Sequence, residues 1–128
     1  MDSKVSPMFK DEVVRGEFMD DHFDERLGLI LCDLDDYARH QFGHGITITD
    51  IWRNSPESTH YEWRAADIRT TSGPGGCERF TSEQADYLAA FLKHRWGSLV
   101  DVKRHDDGGG DHIHININWK YTMKRFRG

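Results

Sequence analysis

Apolar residues recur at three- and four-residue steps from Asp20 or Asp21 onward, at Phe23, Leu27, Ile30, Leu31, Leu34, Tyr37 and Ala38. That period predicts an amphipathic helix, and Gly43 is a natural stop. The pattern then changes. Ile46 to Trp52 alternates and is β-branched, which predicts a strand with one buried face. Asn54 to Ser58 is turn chemistry, and Ala65 to Thr71 predicts a second strand, closed by the glycine-rich loop Ser72 to Gly76. Thr81-Ser82-Glu83-Gln84 has the form of a capping box, opening a helix that carries Leu88, Phe91 and Leu92 on one side and stops near Gly97. Leu99 to Lys103 predicts a short strand. Asp106 to Gly110 is a turn, and Ile113, Ile115 and Ile117 alternate with polar residues in a last strand.

Strands joined by turns, with helices set apart, predict an α+β domain: a small antiparallel sheet with helices packed on one face. Residues 1–17 show no sustained period. The expected division is an N-terminal arm over residues 1–19 and one domain over residues 20–128. No repeat or interdomain linker interrupts this pattern.

The formal charge of −5 argues against a general nucleic-acid binder, whose phosphate contacts call for a basic surface. The sign is uneven. The first third is acidic, whereas Lys120, Lys124, Arg125 and Arg127 make the C-terminal run basic, either as a solvated end or as a patch for an anionic polymer. Cys32 falls inside the helical pattern as a small core residue and Cys77 in the glycine loop, so no disulfide framework is expected. The opening Met1-Asp2-Ser3-Lys4 begins no apolar run of signal-peptide type, and no stretch reaches the length of a membrane span. The expectation is a product made in the cytoplasm, without membrane insertion, that acts elsewhere only if something else releases it.

Two stretches carry candidate chemistry. Ser58 to Asp67 places His60 and Asp67 seven positions apart, and Asp111-His112-Ile113-His114 places an aspartate and a histidine three apart. Each is weak alone, because such spacings arise by chance. Set beside neighbouring strands of one small sheet, they read as a split zinc site: nitrogen and oxygen donors for the ion, an open position for water, and a carboxylate to take its proton. In the last strand His112, His114 and Asn116 share the face opposite the isoleucines. Asp111 sits where the turn enters the strand and can curl toward a metal. His40 and His44, four apart, are a weaker pair because Gly43 breaks the helix between them. There is no His-Glu-x-x-His helix, no Cys-x-x-Cys and no phosphate-binding glycine loop.

At these residues the chain resembles the M15 group of zinc peptidases, which comprises D-alanyl-D-alanine carboxypeptidases and dipeptidases and phage L-alanyl-D-glutamate endopeptidases. The group shares its fold with the hedgehog signalling domain. Its first motif, Ser-x-His-x-x-Gly-x-Ala-x-Asp, is matched by Ser58, His60, Ala65 and Asp67. Its second, an acidic residue followed three positions later by a histidine, is matched by Asp111, His112 and His114. The resemblance covers about Ile46 to Trp119 and departs at Trp63, which stands where the family has glycine. It implies a hedgehog/DD-peptidase-like fold and a Zn2+ held by His60, Asp67 and His114. Asp111 would be the catalytic base and Arg53 a substrate contact. His112 would bind substrate or steady an oxyanion. The implied activity is hydrolysis of peptidoglycan stem peptides, as a carboxypeptidase or endopeptidase, a phage lysin acting at the cell wall being one form of it. Glu62 and Asp107 are the next candidates for the base. The competing expectation is a non-catalytic zinc-containing binding module on the same fold, since a scaffold does not guarantee an activity.

Overall fold

The computed structural model describes residues 7–70, 80–106 and 111–121. Along the chain run β1 (Met8–Phe9), α1 (Glu12–Phe18), α2 (Glu25–Phe42), β2 (Thr47–Asp50), β3 (Ala65–Arg69), α3 (Ser82–Trp96), β4 (Val100–Asp106) and β5 (Asp111–Ile117). The strands form one five-stranded sheet in the order β1-β2-β3-β5-β4. The architecture is α+β, but the sheet is mixed rather than antiparallel: β1 runs parallel to β2, and the other neighbours are antiparallel. A parallel pair needs a crossover, and α1 and α2 supply it. Residues 8–18, expected as part of an arm, are thus an edge strand and a short helix, with Val14 buried in the core. A two-residue strand and a seven-residue helix are too short to display a period.

Local chemistry explains the helix ends. Asp24 caps α2, its carboxylate accepting from the Arg26 amide at 2.9 Å and from the Arg26 guanidinium at 2.8 Å. This moves the start of the helix past the acidic run at residues 20–21. At the other end Gly43 takes φ +88°, the left-handed conformation that glycine tolerates. The capping box of α3 is formed, with the Gln84 amide donating to the Thr81 hydroxyl and the Gln84 side chain accepting from the Thr81 amide.

One hydrophobic cluster holds these elements together. Leu27, Ile30, Leu31 and Leu34 of α2 and Leu88 and Leu92 of α3 pack with Ile48, Ile68, Ile113, Ile115 and Ile117. Each fully buried aliphatic side chain stabilises the fold by about 1.5–3 kcal/mol. With Ile113, Ile115 and Ile117 turned inward, strand geometry sends His112, His114 and Asn116 to the opposite face. Cys32 is half-buried rather than a core residue, and burial pushes its thiol up.

Asp35 departs from the hydrophobic pattern. It lies on the buried face of α2, fully enclosed, and accepts from the Ile46 amide and the Arg39 guanidinium, both at 2.8 Å. It thereby ties the helix to the entry of β2. Gly45 is required for that approach, because a Cβ there would lie 2.2 Å from Asp35 Oδ1. Among the described residues no helix is long and apolar enough to cross a membrane.

Candidate metal centre

Three elements bring chemistry to the polar face of the sheet. β3 carries Asp67, β5 carries His112 and His114, and the loop between β2 and β3 carries Arg53 and His60. Asp67 and His114 are direct cross-strand partners. The loop is a run of tight turns: Tyr61, Glu62 and Trp63 donate to the carbonyls of Ser58, Thr59 and His60. The Ser58 hydroxyl accepts from the His60 amide at 3.1 Å.

The loop closes at Trp63 with φ +60°, the only left-handed non-glycine among the described residues. Trp63 thus adopts the backbone conformation that a glycine takes readily and a bulky side chain resists. Its surroundings hold it there. Its carbonyl accepts from the Asp24 amide at 2.9 Å, and its ring stacks on Trp52 and His22 at centroid distances of 5.7 and 5.5 Å. Trp52 in turn donates its indole N–H to the Tyr61 carbonyl. The Trp63 carbonyl ties the loop to the capping residue of α2, and its ring packs between Trp52 and His22.

The hydrogen bonds of the two imidazoles decide what the site wants. His60 Nδ1 lies 2.8 Å from the Ile51 carbonyl, which can only accept, so Nδ1 carries the proton. Its Nε2 is then a lone pair, buried, without a hydrogen-bond partner, and 3.3 Å from Asp67 Oδ1. His114 is engaged at both ring nitrogens. The Asn116 amide nitrogen donates to Asp101 and to the Ile117 carbonyl, which turns the Asn116 oxygen toward His114 Nε2 at 3.0 Å. His114 Nε2 also has the Thr59 hydroxyl at 3.3 Å, and Nδ1 is hydrogen-bonded to Asp67 Oδ1 at 3.0 Å, so both ring nitrogens face acceptor oxygens.

The inner nitrogens of two imidazoles and a carboxylate oxygen converge, while the outer nitrogen of each ring is hydrogen-bonded away from them. Such a set is repulsive unless a cation lies among the three atoms, whether protons or a metal ion. The electrostatics agree. Burial works against an ionised Asp67, but His114 and His60 outweigh it and hold the carboxyl well below the usual carboxylate range. Burial likewise lowers the basicity of His60, but the Asp67 carboxylate outweighs it and the net shift is upward. The ligating atoms of His60, Asp67 and His114 lie within 4.8 Å of one another, so the group could hold a metal ion. An outward N–H anchored on a carbonyl or amide oxygen is the usual support for a metal-binding imidazole.

These residues open into a cleft of about 310 Å³, lined also by Arg53, Ser58, Lys103 and His112. His112 Nε2 stands 4.0 Å from Asp67 Oδ2. Arg53 is 3.4 Å from the same oxygen, and its guanidinium is already ion-paired with Asp50. Asp111 begins β5 in register with Asp106, but its side chain lies outside the described residues, as do Asp107, Cys77 and the basic residues after Tyr121. Glu62 pairs with Arg64 at 2.6 Å and does not line the cleft. His40 and His44 do not form a site: their Nδ1 atoms bond separately to the carbonyls of Asp36 and Gly45.

Asn116, Asp101 and Lys103 were missed as functional residues. Asn116 carried a signal, since it shares the polar face of β5 with both histidines. Lys103 carried none until the register set it opposite His114. No family model, curated protein or solved structure matches this chain.

Proposed function

We propose that this protein is a zinc-dependent peptidase that hydrolyses peptide bonds in the stem peptides of bacterial peptidoglycan, as a carboxypeptidase or endopeptidase of the M15 type. The observation that carries the reading is the convergence of His60 Nε2, Asp67 and His114 Nδ1 at the floor of an open cleft, with a buried nitrogen left unsatisfied. Three protein ligands and an accessible side are the pattern of a catalytic zinc, whereas structural zinc is usually enclosed by four. The motif resemblance of residues 58–67 and 111–114 supplies the reaction class, and with it a hedgehog/DD-peptidase-like fold and a site of action at the cell wall.

The donor set of two imidazoles and one carboxylate suits zinc. When bound, zinc supplies a Lewis acid for a carbonyl oxygen and lowers the pKa of water toward ~7. The chain's own residues do the rest. Asp111 takes a proton from the attacking water on its carboxylate and returns it to the leaving amine. His112, at the cleft rim, donates a hydrogen bond to the substrate carbonyl as negative charge develops there. Arg53 contacts the substrate backbone while Asp50 keeps its guanidinium in place.

The test is to purify the protein, measure bound metal, and incubate it with murein while following released peptides by mass spectrometry, with Asp111→Ala in parallel. Stoichiometric zinc and cleavage lost in Asp111→Ala are the expected results. Zinc without cleavage by the unmodified protein would instead favour a binding module. The fragment masses also identify the bond.

A further inference from the structure

Asp67 is the only carboxylate lining the cleft among the described residues, and His60, His114 and Arg53 already engage it. What remains is basic. Arg53 stands on the β2 side, where Asp50 and Asp67 engage it. Lys103 stands on the β4 side, cross-strand from His114, exposed and without an ion-pair partner among the described residues. Among the described residues of a protein of net charge −5, Lys103 is thus the cation of this cleft that no carboxylate engages. The same lysine also lines a second depression of about 650 Å³ with Thr59, Asp101, Asn116 and Trp119, where the Asp101 carboxylate accepts from the Asn116 and Asn118 amides rather than from Lys103. A chain that passes the metal ligands on this side has room to continue beyond Lys103.

We infer that Lys103 is the specificity-determining residue of this cleft and selects peptides bearing a free carboxylate close to the scissile bond. The inference rests on the peptidase reading for the word scissile, but not for the recognition of the anion. An ammonium on a flexible stem forms a charge-assisted hydrogen bond to a carboxylate and gains little from a neutral amide of the same shape. Arg53 cannot make that distinction as sharply, because its charge is shared with Asp50 and Asp67.

The experiment compares murein stem peptides with the same peptides amidated at each carboxylate in turn, such as D-glutamate against D-isoglutamine. The zinc-loaded protein, Lys103→Met and Lys103→Arg are followed for cleavage, and for equilibrium binding by calorimetry in an Asp111→Ala background. Zinc content is measured for each variant to show that the site is intact. Amidating the recognised carboxylate is expected to weaken binding and raise KM by about tenfold, the scale of one charge-assisted hydrogen bond, with kcat little changed. Lys103→Met should bind both forms at the weaker level, and Lys103→Arg should restore the preference. The inference is overturned if the unmodified protein treats the two forms alike, or if Lys103→Met keeps the discrimination. Discrimination through Lys103 without any cleavage would sink the peptidase reading and leave anion recognition standing. Cleavage without discrimination would do the reverse. Neither binding nor cleavage would sink both.

Discussion

Asp67 and His114 face each other across β3 and β5, in register, with His114 Nδ1 3.0 Å from Asp67 Oδ1. The same oxygen lies 3.3 Å from the buried, unsatisfied Nε2 of His60. One carboxylate oxygen is thus shared by two imidazoles whose other nitrogens are tied outward, a geometry that calls for a cation at its centre.

Affinity for the proposed zinc ion should therefore depend on the outward supports as well as on His60, Asp67 and His114. Asn116→Ala removes the nearer of the two oxygens at His114 Nε2, the Thr59 hydroxyl being the other. It should weaken zinc about 10–100-fold, the usual effect of losing such a support, with little change in far-ultraviolet circular dichroism. Competition against a chromophoric chelator measures this. Unchanged affinity would mean that His114 is held by other contacts.

Stability should follow pH from two directions in the metal-free protein. The folded-state pKa of Asp67 lies below its ordinary value of 3.8, so its contribution is present above that value and lost as pH falls through the folded one. The pKa of His60 is raised from 6.5, so its contribution is full below 6.5 and lost as pH rises through the folded value. Urea midpoints of the metal-free protein should accordingly be highest between these limits. Zinc should reverse the alkaline fall, because it replaces the proton and binds more tightly as the imidazoles become neutral. A metal-free protein that grows steadily more stable as pH rises through and beyond the imidazole range would contradict this account.

Trp63 offers a test of backbone strain against ring contacts. Trp63→Ala loses the stacks on Trp52 and His22 and keeps a β-carbon at φ +60°. Trp63→Gly loses the same stacks but relieves the conformation. The glycine variant should be the more stable of the two by about 1–2 kcal/mol, the usual penalty of a left-handed L-residue. Equal chemical-denaturation midpoints would show that the loop relaxes on losing the ring.

The link between Asp35 and Gly45 can be probed by a double-mutant cycle. Gly45→Ala forces a methyl against Asp35 Oδ1 and should destabilise by about 1–3 kcal/mol. Asp35→Ala strands the Ile46 amide and should lose a similar amount, about 1–3 kcal/mol. The two losses should not add, because removing the carboxylate makes room for the methyl. Simple additivity would place the clash elsewhere.

What could be read from the chain in advance was local. The α2 stripe from Leu27 to Ala38, its stop at Gly43, the Thr81–Gln84 capping box and the alternation of β5 all follow from side chains three, four or two positions apart. Helix caps and strand pleats act over such distances, so the sequence alone determines them, along with the face on which His112, His114 and Asn116 emerge. It also singled out His60, Asp67 and His114, though only as pairs in separate segments. Tertiary structure decided the rest. The pairing of Asp67 with His114, of Lys103 with His114 and of β1 with β2 depends on register across segments far apart in the chain, and register is set by burying Ile68, Ile113 and Ile115 together. The orientation of each imidazole, the enclosure of Asp35 and the left-handed turn at Trp63 are likewise settled by partners on other elements. Spacing along the chain does not encode those distances, because burial fixes them only once the whole core has closed.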